Sequence, residues 1–228
     1  MTDTWFLLRS GVCPAAENMA VDEAMLESSA SLGRPVLRFY GWTEPAATFG
    51  YSQAYAEIAR WTKLRPLIRR PTGGGLVPHD ADWTYSLVFP PNHPWHALKA
   101  VESYRRAHEW LQQAFARVDV AAALASCGQK SVPGQCFAGA ERFDLIHGGR
   151  KIAGAAQRRN RLGLLVQGSV QPAGIPAKRT DWESAMLDGF SFVGQVAWAG
   201  LNLDLRLRQR IGELVQEKYG QPAYNERR

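Results

Sequence analysis

Short apolar runs alternate along the chain with two stretches whose apolar residues repeat every three or four positions. Trp5 to Ser10 (WFLLRS), Val36 to Trp42 (VLRFYGW) and Ala47 to Ser52 (ATFGYS) carry the aromatic and branched residues that favour strands. Leu67 to Arg70 and Trp83 to Phe89 read the same way and flank a triple glycine at 73–75. Ala16 to Ser29 is rich in helix formers and free of Gly and Pro, which predicts a helix. From Ala97 to Val118, the residues Leu98, Val101, Tyr104, His108, Leu111, Phe115 and Val118 share one helical face. His108 on that face is expected to be a packed histidine with one nitrogen satisfied. Three more strands are expected at Phe143 to His147, Arg150 to Ala156 and Leu164 to Val170, and a last helix at Leu207 to Tyr219. No repeat, low-complexity tract or linker interrupts this pattern. It predicts one α/β domain with mostly hairpin-connected strands.

Composition narrows the class. The 228 residues are 46% hydrophobic and 21% charged, and eight tryptophans with nine phenylalanines exclude disorder. Lys and Arg number 27 against 21 Asp and Glu, a net +6 that suits an acidic partner. The basic residues are spread out, with small clusters at Arg69–Arg70, Arg105–Arg106 and Arg158–Arg161, which speaks against a nucleic-acid binder. Cys13, Cys127 and Cys136 are an odd number without C-x-x-C spacing, so neither a disulfide framework nor a zinc site is expected. MTDTWFLLRSG lacks the layout of a signal peptide, and no apolar run approaches the ~20 residues of a membrane span. A cytoplasmic protein is the expectation.

Two constellations carry candidate chemistry. In RRPTGGGLVPH (Arg69 to His79), a strand follows the glycines, and no Gly-Lys-Ser/Thr appears, which excludes a P-loop and a dinucleotide fingerprint. A glycine bend between two strands lets a ligand approach backbone N–H groups, with Arg69 and Arg70 suited to a carboxylate or phosphate. A solvated hairpin loop is the simpler alternative. In CFAGAERFDLIHGGRKIAGAAQRR (Cys136 to Arg159), Gly148-Gly149 marks a two-residue hairpin. That register sets Ile146 opposite Lys151 and Asp144 opposite Ala153, so Asp144 and Lys151 project to one face as diagonal neighbours. They suit either a phosphate or acyl carbonyl, or a surface ion pair of little worth. Cys136 precedes the hairpin, and its role as a nucleophile depends on a lowered thiol pKa.

Together and in this order, RRPTGGG…H…D…YS and GRKIAGAAQRR resemble the biotin/lipoate A/B protein ligase superfamily, within it the lipoate–protein ligase and cysteine-dependent octanoyltransferase branches. ENMAVDEAML, LRFYGW, FGYSQ and the terminal EKYGQPAYN extend the resemblance over nearly the whole chain. It implies a single catalytic domain over 1–228, without an accessory C-terminal domain, built on a central mainly antiparallel or mixed sheet flanked by helices. The glycine loop and the KIAG strand would wall an acyl tunnel. Arg70, Gly73, Gly74, Gly75, His79, Asp144, Gly154 and Gln157 would bind substrate, Lys151 would contact the acyl carbonyl, and no metal-ligating set is implied.

The transferase form of the resemblance takes octanoate from acyl carrier protein through a thioester on Cys136, which stands in a Cys-Phe segment, and needs no cofactor. The ligase form uses ATP and magnesium to make lipoyl-adenylate. Cys136-Phe137 and the H-D-A-D-W-T-Y-S spacing match the transferase, whereas Gly75 and Asp144 match the ligase. Gln167 stands where many members carry a histidine before Gly-Ser. Either way the acceptor is a lysine of a lipoyl domain, in 2-oxoacid dehydrogenases or the glycine cleavage H protein. Such domains are typically acidic. A non-catalytic acyl-binding protein is the remaining alternative.

Overall fold

The computed structural model describes residues 3–128, 139–188 and 196–227. β1 (Asp3–Cys13) opens the chain, followed by α1 (Ala15–Glu27) and a short α2 (Ser29–Leu32). β2 (Val36–Trp42), β3 (Ala46–Phe49), α3 (Tyr55–Trp61), β4 (Leu67–Arg69), β5 (Val77–His79) and β6 (Trp83–Phe89) come next. α4 (Pro94–Ala97) leads into α5 (Ala100–Arg117), and then β7 (Ala123–Leu124), β8 (Leu145–His147), β9 (Arg150–Asn160) and β10 (Gly163–Val170). The last described elements are α6 (Arg179–Asp188), β11 (Val196–Gly200), α7 (Leu205–Leu214) with a π-helical turn (Val215–Tyr219), and α8 (Pro222–Asn225).

Eight strands form one mixed sheet in the order β11-β1-β2-β6-β10-β9-β8-β7. β1 runs parallel to both of its neighbours, and the other pairs are antiparallel. β4, β3 and β5 make a separate small sheet with β3 in the middle. The triple glycine therefore joins the two outer strands of the small sheet, β4 and β5. It is not a bend between Leu67–Arg70 and Trp83–Phe89, because the latter strand lies in the large sheet.

Side-chain alternation gives each strand two destinations. Leu37, Phe39, Tyr85, Leu87 and Val166 face a core shared with Trp110 and Phe115 of α5 and Trp182 of α6. Val36, Val88 and Leu165 face a second core with Met25 of α1 and Ile211 of α7. The result is helices on both sides of a mixed sheet. No helix among the described residues is long and apolar enough to cross a membrane.

On the α1 side, the register sets Arg38 opposite Ser86 and Ser86 opposite Gln167, a polar row across β2, β6 and β10. Asp22 of α1 meets this row. Its Oδ1 accepts from Arg38 at 2.8 Å and Ser86 at 2.7 Å, and its Oδ2 from Gln167 at 2.7 Å and Tyr40 at 3.1 Å. Both members of the Asp22–Arg38 ion pair are 0% exposed. Arg38 also donates to the Asn18 carbonyl and Oδ1 and to Ser10, so few of its N–H groups lack an acceptor. Burial, then Asp22, pushes the Tyr40 hydroxyl well above its usual range, which keeps it a donor.

Helix α5 is shorter than the sequence pattern predicts and its buried face is rotated. Lys99 is extended (φ −61°, ψ 149°) and separates α4 from α5. Val101 is 63% exposed, and Ser103, Ala107, Trp110 and Ala114 join His108, Leu111 and Phe115 on the buried side. Small residues at 103, 107 and 114 let the helix approach the sheet closely. His108 is a packed core histidine as expected: Nδ1 donates to the Tyr104 carbonyl at 3.0 Å, and Nε2 has no partner among the described residues.

Two outcomes follow. Asp22→Ala leaves the Arg38 guanidinium buried without its carboxylate and should lower unfolding stability by about 3–5 kcal/mol in urea titration. Burial lowers His108 to about 4, so the unfolded chain binds this proton first as pH falls. The corresponding stability is complete above the unfolded value and is lost as pH falls through the folded one, a contribution of about 3 kcal/mol. His108→Gln should flatten the decline in Tm between those limits; an unchanged slope would contradict the assignment.

Candidate active site

The polar face of the sheet continues beyond Asp22 toward β9. Tyr40, Thr84, Ser169 and Gly154 form the next row across β2, β6, β10 and β9. The small sheet stands against this row through Thr48 and Val77, and a cleft of about 460 Å³, partly open to solvent, lies between them. Met19, Tyr40, Trp42, Val77, Ala155 and Ala156 supply apolar surface, and Arg70, His79 and Lys151 supply its ionisable groups. Thr48, Thr84, Gln167 and Ser169 also line it, but their polar atoms bond within the walls.

The hairpin forms as the sequence predicts, with His147 opposite Arg150 and both turn glycines at positive φ (55° and 75°). Ile146 faces Lys151, but a bulge shifts the register so that Leu145, not Asp144, faces Ala153. The acid and the amine still meet: Lys151 Nζ lies 2.7 Å from Asp144 Oδ2, with the two side chains 7% and 0% exposed. Asp144 Oδ2 also accepts from the Glu141 N–H at 2.5 Å, and Oδ1 accepts from the Tyr104 hydroxyl. That hydroxyl in turn accepts from the Ala155 N–H at 3.3 Å, past the point where β8 stops pairing with β9. Burial, then Asp144, holds the Tyr104 phenol well above its usual range. Lys151 lines the cleft while Asp144 and Tyr104 stand behind it.

Gly154 makes this possible. A Cβ there would fall 2.8 Å from both Cε and Nζ of Lys151 and 3.2 Å from Asp144 Oδ1. Gly168 is needed for a different reason, since its Cβ would come within 2.1 Å of the Tyr85 ring.

The glycine loop supports the cleft from the side. Arg70 and Val77 line the cleft, whereas Gly73, Gly74 and Gly75 do not. The Gly73 carbonyl accepts two bonds from Arg70, at 3.1 and 2.5 Å, and Gly74 adopts φ 85°. The loop packs so closely on Gly50 that a Cβ there would be 1.9 Å from the Gly74 oxygen. Thr72 ties it to the cleft floor through Gln167 at 2.7 Å. Arg69 does not serve a ligand: it donates to the carbonyls of Tyr51, Gln53, Tyr224 and Asn225, clamping the C-terminal segment onto the small sheet. Arg105 and Arg106 likewise pair with Glu102 and Glu109 along α5.

His79 lies in the cleft wall, stacked on Trp42 at 3.8 Å between ring centroids. Its Nδ1 is 2.8 Å from Asp82 Oδ2 and its Nε2 2.8 Å from Thr48 Oγ1. Gln157 points elsewhere. It sits on the opposite face and bonds α5, accepting from Ser103 Oγ at 2.7 Å and donating to the Ala100 carbonyl at 3.0 Å. Gln157, expected to bind substrate, does not line the cleft. Cys136 lies outside the described residues.

Several residues of the site were passed over in the sequence: Trp42, Thr48 and Ser169 in the cleft wall, Asp82 behind His79 and Tyr104 behind Lys151. A signal existed. Arg38, Tyr40 and Trp42, then Asp82, Thr84 and Ser86, put polar or amphipathic side chains at every second position of strands whose alternate residues are core-forming. Such alternation inside fully buried strands marks a polar-walled interior cleft.

Gly154→Ala tests the contact between Lys151 and the strand. The new methyl group meets the end of the flexible Lys151 side chain and, at 3.2 Å, Asp144 Oδ1, so the chain should still fold, with Tm lowered by the loss of the buried Lys151–Asp144 pair. A crystal structure of the variant should show Lys151 Nζ moved out of hydrogen-bond distance of Asp144; an unmoved Nζ would contradict this packing role of Gly154.

Residues 14–171 match the family model of the lipoyl protein ligase A/B catalytic domain. Over 181 residues the chain is 33% identical to octanoyltransferase LipM of Geobacillus kaustophilus, covering 74% of this chain and 65% of that protein. It is 35% identical over 208 residues to octanoyltransferase LipM of Symbiobacterium thermophilum, covering 78% of this chain and 74% of that protein. The matches to the first two curated relatives thus span about 65% of their length. A lipoate-protein ligase A bound with ATP superposes with a TM-score of 0.76 at 20% identity, covering 99% of each chain. A bi-partite lipoate protein ligase from Thermoplasma acidophilum superposes with a TM-score of 0.76 at 18% identity, over 99% of this chain and 97% of that one. At such identities these structures establish a common fold, a mixed sheet between helices. The chain belongs to the lipoyl protein ligase A/B catalytic-domain family.

Proposed function

We propose that this chain transfers an octanoyl group from octanoyl-acyl carrier protein to a lysine of a lipoyl domain through a thioester on Cys136. The observation that carries this reading is the 33–35% identity to relatives named octanoyltransferase LipM. In the first half-reaction the Cys136 thiolate adds to the thioester carbonyl, and the carrier thiolate leaves. In the second, the neutral lysine amine adds to the enzyme-bound carbonyl; a C–N bond forms, the C–S bond breaks, the Cys136 thiolate is regenerated, and the amine's surplus proton passes to solvent. Both steps pass through an oxyanion. Lys151, held at the cleft wall by Asp144, supports the reading because it is a fixed cation where that charge develops. The apolar surface of Met19, Trp42, Val77 and the strand β9 suits a medium acyl chain. The +6 charge suits acidic partners, and the reading sets the reaction in the cytoplasm.

A second reading, an ATP-dependent lipoate–protein ligase, is favoured by Asp144 and Gly75, which match the ligase branch. There Lys151 and Arg70 are the cleft cations that would face an adenylate phosphate.

Intact-mass measurement separates the two. Incubation with octanoyl-acyl carrier protein and no ATP should yield an octanoyl adduct that is absent in Cys136→Ala. No adduct, with octanoyl- or lipoyl-adenylate made from the free acid and ATP, would replace the transferase by the ligase.

A further inference from the structure

Forming an amide at a lysine requires the incoming ammonium to lose a proton before its nitrogen can attack. Lys151 is ion-paired with Asp144, and Arg70 is a guanidinium, so neither cleft cation is suited to accept that proton. Tyr40 is kept protonated by burial and Asp22, so His79 is the remaining ionisable group of the described cleft wall that can take the proton. Because the Asp82 carboxylate only accepts, it assigns the proton of a neutral imidazole to Nδ1 and leaves Nε2 to accept from the Thr48 hydroxyl. Arg70 donates to the same Thr48 oxygen at 3.4 Å, which agrees with the Thr48 proton pointing at His79. Trp42 fixes the imidazole plane. Asp82 is itself fixed, with Oδ2 also accepting from Ser169 at 2.7 Å and Thr84 at 3.1 Å.

We propose that Thr48 and His79, positioned by Asp82, form a proton relay for the acceptor amine. Thr48 Oγ1 takes a proton from the substrate ammonium as it passes its own to His79 Nε2. The amine is left neutral with its lone pair, the imidazole becomes an imidazolium, and Thr48 is unchanged. The amine nitrogen then adds to the acyl carbonyl, and the leaving group departs with the bonding pair; the second N–H proton, acidic once the nitrogen carries the acyl group, passes to the departing group or to solvent and leaves the neutral amide. The far side of the relay provides an exit: His79 and Asp82 also line a second, open groove of about 650 Å³ with Trp42, Glu44, Asp80 and Arg179. The charged groups around His79 are Asp82 in direct contact, Arg70 through Thr48, and Lys151 in the same cleft. Glu44, Asp80 and Arg179 lie on the groove side, with Arg179 already paired to Glu183.

The relay rests on the reading that the chain acylates a lysine, and the amine step is common to both donors. The test is therefore single-turnover transfer to a lipoyl domain, started either from octanoyl-acyl carrier protein or from octanoyl-adenylate supplied directly. Wild-type transfer should rise with pH through one ionisation. In His79→Gln that limb should vanish and the transfer rate fall about a hundredfold, with acceptor KM and octanoyl loading unchanged. Thr48→Val, which keeps the shape, should slow transfer likewise, and Thr48→Ser should restore it. Wild-type rate and pH limb in His79→Gln, or full activity in Thr48→Val, would overturn the relay while leaving the functional reading standing. Losses confined to acceptor KM would also overturn it, as would failure of Thr48→Ser to rescue. Absence of transfer by the wild type from either donor would instead remove the functional reading, and the relay with it.

Discussion

The structure turns on one buried carboxylate. Asp22 projects from α1 into the centre of the sheet, where Arg38 and Tyr40 of β2, Ser86 of β6 and Gln167 of β10 all donate to it. A charge this deep is tolerated only when paired and fully bonded. Its partners lie on three adjacent strands, so satisfying Asp22 fixes the helix and the strand register together. The same Gln167 accepts from Thr72, and through that bond the register reaches the glycine loop. Core packing on the other face, around Trp110 and Trp182, could be achieved with other arrangements of similar volume. The polar row tolerates fewer.

The cleft is an extension of that row. One step along the strands, the positions become Tyr40, Thr84, Ser169 and Gly154. The Thr84 and Ser169 hydroxyls bond to Asp82 and the glycine leaves room for Lys151. Two acid centres then stand on opposite sides of the cleft: Asp144 holds Lys151, and Asp82 holds His79. Each carboxylate is buried and each gives its basic partner a fixed position facing the cavity. A fixed cation and a separately held imidazole are the components that acyl transfer to an amine needs.

Much of this was legible in the sequence. The Asp144–Lys151 pairing follows from a Gly-Gly turn and strand alternation, and it survives a bulge that shifts Asp144 itself, because a lysine side chain can span the difference. Gln157 was misplaced for a related reason. It lies in the same motif, but at odd spacing from Gly154, and a strand sends such neighbours to opposite faces. Arg69 and Arg70 are adjacent in sequence and likewise diverge, one to the C-terminal carbonyls and one to the cleft. The helices α3 and α6 and the strand β11 escaped notice. α3 is short, α6 spreads its buried residues without a clean period, and β11 is too brief to show alternation. The assembly of Thr48, His79 and Asp82 was not legible, since it depends on how the small sheet docks on the large one.

The proposed function and the cleft geometry meet at Lys151, the fixed cation at which the proposal sets the acyl carbonyl. The most direct measurement is therefore a crystal structure of the protein after incubation with octanoyl-acyl carrier protein. The account predicts an acyl chain between Val77 and β9, with the carbonyl oxygen within hydrogen-bond distance of Lys151 Nζ. A chain seated elsewhere, or a carbonyl oxygen out of reach of Lys151, would contradict it.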